Sequence, residues 1–306
     1  MPNGNRVTQL LAVAALIATL TSVSSATGAP MALTHVHGLS YSDDGKRLLI
    51  PSHHGLAVFS DGRWSKAQGA AHDYMGFSAT RGALYSSGHP APGSGQINPF
   101  GLIKSQDGGR TWKNLGLEGE SDFHLMASGY ENHAVYVLNT QPNSRMSQTG
   151  IHYTLTDGLK WQRAAARGLG PKVNSLAVHP TDPAVVAAGT DDGLYLSRDS
   201  AAHFESLVDG RRVLASSFDL AGQHLWFSTY AGAAALEKVS LQPQAGPEVV
   251  PIPSLSEDAV AYIAHNPSQG SEIAIATFKR SVFVSRDDGR TWTRIARDGV
   301  VIETAR

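Results

Sequence analysis

The chain contains no cysteine, which removes disulfides, thiolate metal ligands and a thiol nucleophile together. Net charge is also lacking: 25 Lys and Arg stand against 26 Asp and Glu, leaving −1 at neutral pH. No basic field exists to draw in nucleic acid or anionic lipid, and neither is expected as a partner. Long apolar runs are scarce. The one candidate, Leu10–Leu20, is too short to span a bilayer comfortably, and no second run approaches membrane length. Several catalytic signatures are missing as well. The chain has no G-x-S-x-G elbow, no phosphate-binding loop and no H-E-x-x-H.

The short apolar run has a different meaning. Arg6 precedes it as a positive flank, and Ser24, Ala26 and Ala29 follow it as the small residues of a cleavage site. Residues 1–29 therefore read as a signal peptide and 30–306 as the mature domain, exported to the periplasm or the cell exterior. With no cysteine after the run, lipid anchoring is excluded, and no membrane span is expected once the peptide is cleaved.

Glycine is abundant, at 31 residues, as a chain with many tight turns requires. The turns recur. Ser105–Trp112 and Ser285–Trp292 both spell S-x-D-x-G-x-T-W, and weaker copies occupy Thr154–Trp161, Ser197–Phe204 and Phe59–Trp64. Their aromatic ends, at 64, 112, 161, 204 and 292, lie 48, 49, 43 and 88 residues apart, so one copy without the motif sits inside the last gap. Each period carries four short runs of β-prone residues, as in Val260–His265, Glu272–Thr277, Ser281–Ser285 and Thr291–Ile295. Four-stranded units at this spacing are propeller blades. The reading is all-β: a six-bladed β-propeller with blades at about 33–69, 70–121, 122–171, 172–210, 211–257 and 258–299, and seven blades as the alternative. Val300–Ile302 is available to close the ring.

The S-x-D-x-G-x-T-W copies resemble the Asp-box, or BNR, repeats of sialidases, sortilin-type receptors and photosystem II assembly-factor-like bacterial propellers. Secreted members of this kind often carry a glycosyl hydrolase label. The resemblance spans about 33–299. It implies that each Asp box is a structural turn between the third and fourth strands, with its Asp on the turn amides and its Trp packed between strands. Asp107, Trp112, Asp287 and Trp292 are accordingly expected to be structural.

Function then belongs on the opposite face, where the innermost strands begin and the loops between second and third strands lie. Seven of the 13 histidines map there, all in blades 1 to 3: His35, His37, His53, His54, His72, His89 and His124. His179 and His265 read as residues of the turns at the other end. Imidazole suits zinc or copper, and a nearby thioether tilts the choice to copper. His35, His37, His72 and His124 are the expected core of a metal site, with His53, His54, His89 and Met75 completing it and Asp73 as a carboxylate ligand or an orienting group. The alternative is a glycoside hydrolase, which needs paired carboxylates; Glu118, Glu120 and Asp122 are the candidates on that face. A sialidase would need three converging arginines. Only Arg211, Arg212 and Arg280 are in range, and no triad is evident. The reading is a binding propeller with a metal ion, small ligand or protein at its channel mouth.

Overall fold

The computed structural model describes residues 31–242 and 246–303. The segment read as a signal peptide lies outside the described residues. Within them there is no helix, and six antiparallel sheets follow one another along the chain. Five sheets have four strands and the last has five, each sheet in sequential order from the axis outward. The protein is a six-bladed β-propeller.

The first strands of the blades are Ser40–Tyr41, Asp73–Thr80, Met126–Ser128, Val173–Val178, Val213–Phe218 and Val260–His265, and neighbouring ones face each other round the axis. The blade without a repeat motif is the fifth, and its four strands run from Val213 to Val250. Alternation explains why the sheets stack. Each strand sends one side chain set to each neighbouring blade, so the hydrophobic core is divided into six clusters, one at every blade junction. Leu49, Leu56 and Val58 of blade 1 meet Tyr74, Phe77 and Leu84 of blade 2. Tyr41, Ile50 and Phe59 of blade 1 meet Ala274, Val282 and Ile295 of blade 6. That last junction is what makes the fold a ring.

Val300–Val301 does add a strand, but it joins the outer edge of blade 6. The bond between chain ends comes from the N-terminal side: Ala32 bridges Val300, and Leu33 N–H donates to Gly299 O at 2.7 Å. Trp64 reinforces the seam, its Nε1–H lying 3.0 Å from Ile295 O and 3.1 Å from Ile302 O.

The repeat motifs are turns, as the resemblance implied. In blade 2, Asp107 Oδ1 accepts from the amides of Arg110 and Thr111 at 3.1 and 2.9 Å, and Oδ2 from the Thr111 hydroxyl at 2.6 Å. Ser105 Oγ accepts from Gly109 N–H at 2.9 Å. Blade 6 repeats the arrangement around Ser285 and Asp287. In blade 4, His203 replaces the threonine and donates to Asp199, and in blade 3 the hydroxyls of Thr154 and Thr156 take over the roles of Ser and Asp. The stretch Phe59–Trp64 departs from this pattern. Asp61 and Gly62 both have positive φ, 51° and 76°, and form a two-residue hairpin turn between paired Ser60 and Arg63. These turns and the first-to-second-strand turns share a face, shown by Gly108 lying against the Arg47 guanidinium. In an antiparallel meander the starts of the inner strands, and with them His37, lie at the other end.

Candidate functional site: a histidine–aspartate arc on the channel rim

An axial cavity of about 260 Å³ runs between the inner strands. Each of the first five contributes hydroxyls to its wall: Ser40, Ser78, Ser128, Ser175 and Ser216. Ser78 and Ser128 lie 2.7 Å apart, and Ser175 and Ser216 2.9 Å. His37 and His124 also line this cavity, as the strand alignment anticipated.

Three histidines of blade 1 converge. His35 and His37 alternate along the extended segment entering the blade, so both rings fall on one side. His53 sits in the tight turn between the second and third strands, and the bond from His37 N–H to Pro51 O draws the two segments together. One ring nitrogen from each of His35, His37 and His53 lies within 4.8 Å of the others. Asp73, the first residue of the blade 2 inner strand, orients the group. His53 Nδ1–H donates to Asp73 Oδ2 at 2.6 Å, which leaves the Nε2 lone pair of His53 free. Asp73 Oδ1 stands 3.8 Å from His37 Nε2, and both of these buried atoms lack a hydrogen-bond partner. Burial pushes the His37 imidazole down to about 4, the neighbouring imidazoles push the same way and Asp73 opposes them. The ring is neutral, and therefore able to ligate, across the physiological range.

The arc continues into the next blades. Asp73 is the register partner of His89 across the first two strands of blade 2. His89 Nε2 is 3.1 Å from Asp122 Oδ2, and the same oxygen is 3.3 Å from His124 Nδ1. Asn98, in the long Gly88–Asn98 insertion, meets His89 Nδ1 at 2.7 Å.

Other candidates lie elsewhere. His72 is buried beside Phe100, and its Nδ1 accepts from Ala91 N–H at 2.9 Å, so it holds the insertion in place and does not join the trio. Met75 is buried in the sheet opposite Ser87, while Gly76 and Phe77 take the cavity wall. The register shift within this strand pair is the reason: it turns Met75 off the position that alignment with His37 gave it. His54 is exposed beside His53 in the turn. Glu118 is exposed. Glu120 is tied to the next loop, accepting from Ser144 N–H and Oγ–H at 2.7 and 2.8 Å, bonds that lower its pKa. Asp122 is engaged by His89 and His124, at 3.1 and 3.3 Å. The arginines have separate partners: Arg211 takes Glu237, Arg212 takes Asp191, and Arg280 donates to Thr34 O at 2.9 Å.

Sequence reasoning missed Asn98, whose only signal was its place in the insertion. It also placed His265 in a turn. His265 ends the inner strand of blade 6 and lines the cavity, packed on Trp226, with burial pushing its pKa down to about 4. The turn role belongs to Asn266, which accepts from Ser268 N–H.

No protein-family model matches the sequence, and no curated protein matches it. Solved structures do share the fold. A GH74 enzyme from Niastella koreensis superposes with TM-score 0.58 at 13% identity, over 87% of this chain and 46% of the other. The GH74 xyloglucanase from Xanthomonas campestris gives 0.56 at 15% over the same shares. The β-propeller domain of Cps50 (Swd1) from Myceliophteria thermophila gives 0.54 at 13% over 89% and 88%. This chain thus spans less than half of the two GH74 enzymes. At such identities the likeness is one of propeller architecture, which hosts catalytic and non-catalytic proteins alike.

Proposed function

We propose that the protein is a binding propeller, exported from the cytoplasm, whose rim takes a transition-metal ion on His35, His37 and His53. The observation that carries this is the convergence of three imidazole nitrogens, with Asp73 holding the proton of His53 on Nδ1. Such a carboxylate–imidazole pairing orients ligating histidines and raises their basicity. Tetrahedral donors at 2.0–2.1 Å from a metal stand about 3.4 Å apart, so the trio closes inward on the ion by side-chain rotation, with exposed His35 moving most freely. A set of three imidazoles suits zinc or copper, and Met75, buried in the sheet, offers no thioether to bias the choice. The cavity mouth leaves the fourth position open to a small ligand or to a group from a protein partner. The glycoside hydrolase reading gains no support from the carboxylates at the rim.

The test is calorimetric titration of chelator-treated protein with Zn²⁺ and Cu²⁺ beside a His35→Ala/His53→Ala variant. Wild type should show a binding event for one of the ions with a dissociation constant well below 100 μM, equivalent to about −5.5 kcal/mol, and the variant should lose that event. Equal affinities in the two proteins would remove the reading.

A further inference from the structure

Among the described residues Phe278 is the one phenylalanine, tyrosine or tryptophan that is exposed, at 61%. It occupies the loop between the second and third strands of blade 6, on the face that carries the histidines, and it lines the cavity. A phenyl ring in water forgoes the free energy that burial would give it, yet this loop holds the ring there firmly. Arg280 N–H donates to Thr277 O at 2.9 Å, and Thr277 N–H donates to Ser281 O at 2.9 Å. Phe278 N–H donates to Ala259 O at 3.0 Å, and Lys279 N–H to Asp258 Oδ1 at 3.0 Å. The turn is also tied to the histidine segment, because Arg280 Nη1–H donates to Thr34 O at 2.9 Å, one residue before His35. Tyr262, in the same cavity wall, packs on the apolar cluster that also takes Val36, the residue between His35 and His37. Further round, Leu214 and Ala261 are half-buried in that wall. No Asp, Glu, Lys or Arg lines the cavity. The rim therefore sets an apolar half, with a fixed aromatic ring, beside the imidazole trio.

We infer that the fourth position of the ion is taken by the head of a small amphipathic carboxylate whose apolar body lies on Phe278. The inference rests on the metal site as read above. A divalent ion on three neutral imidazoles keeps both of its positive charges. The Asp73 carboxylate beside it offsets one, and a monocarboxylate offsets the other. The body of such a ligand meets apolar and hydroxyl-bearing walls, with no charged side chain to desolvate. Aromatic rings pair offset or edge to face, so a planar ring on the ligand gains most from Phe278. The cavity of about 260 Å³ is on the scale of a small molecule and not of a folded partner.

Benzoate and acetate are a matched pair of probes, since both present one carboxylate to the ion and only benzoate carries a ring. Their dissociation constants are read by calorimetric titration of the protein loaded with whichever of Zn²⁺ and Cu²⁺ it binds. Loaded wild type should prefer benzoate by about tenfold, the scale of one aromatic contact with its buried area. Phe278→Ala should take up the ion as wild type does and lose that preference, whereas Phe278→Tyr, which keeps the ring, should retain it. Metal-free protein should bind benzoate far more weakly than loaded protein. Equal affinity for the two probes in loaded wild type, or a preference that survives Phe278→Ala, would overturn the inference and leave the metal site standing. Benzoate binding undiminished without the ion would overturn it too, because the head would then not sit on the metal. Failure of wild type to bind either ion would remove the metal site and the inference with it.

Discussion

Leu33 offers the sharpest test of how the ring and the rim depend on one another. It is 1% exposed and belongs to the cluster joining the first and last blades. Its amide bonds to Gly299 O. Two residues later comes His35, then His37. Leu33→Ala removes three buried carbons at a junction that cannot collapse without separating two blades. Such changes cost about 2–5 kcal/mol, and more where the site stays rigid; about 3–4 kcal/mol is expected. For the roughly 270 described residues, an unfolding entropy of about 2.1 cal/mol/K per residue amounts to about 0.57 kcal/mol/K. The melting temperature should therefore fall by about 5–7 °C, read by differential scanning calorimetry without metal. Zn²⁺ affinity should fall too, because the segment carrying His35 and His37 loses its anchor. Leu33→Met, nearly volume-conserving, should cost less than about 1.5 kcal/mol and leave affinity intact. A melting temperature within 1 °C of wild type for Leu33→Ala would refute the closure described above.

Four other outcomes are expected. Asp73→Asn should weaken Zn²⁺ binding at the trio by about 10–100-fold with little change in the metal-free melting temperature; an unchanged titration would show that Asp73 does not orient His53. Trp112 and Trp292 are each only partly buried, so alanine at either position should cost about 2–3 kcal/mol, below the usual range of about 3–5 for a fully buried aromatic, and leave Zn²⁺ binding alone. Asp107, Asp199 and Asp287 have pKa values lowered to about 2 from an ordinary 3.8, chiefly by hydrogen bonds within their turns; because the folded values are depressed, their stabilisation is complete above about pH 4 and fades toward pH 2, so the gap in melting temperature between wild type and Asp107→Asn should narrow across that window, and a gap constant with pH would contradict it. The exported protein should begin after Ala26 or Ala29 by N-terminal sequencing, whereas an intact Met1 on the exported protein would exclude the signal peptide.

Much of the fold was legible because propellers repeat. A motif such as Ser105–Trp112 carries its own hydrogen-bond partners within eight residues, so its turn and its period were visible in the chain, and the period implied both six blades and the face on which His37 and His124 lie. Alternation within Val260–His265 and its counterparts gave the strands for the same local reason. What decided the site was not local. Met75 aligns with His37 in sequence, yet the register shift in blade 2 buries it; His72 precedes Asp73, yet packing on Phe100 and the amide of Ala91 take it out of the arc. Asp73 meets His53 across 20 residues, and Asp122 meets His89 across a blade boundary. The seam between Leu33 and Gly299 joins the two ends of the chain. Hydrophobic periodicity fixes which side of a strand a residue occupies, but the twist, the bulge and the stacking of blade on blade fix which nitrogen meets which oxygen, and those depend on contacts between segments that the sequence keeps far apart.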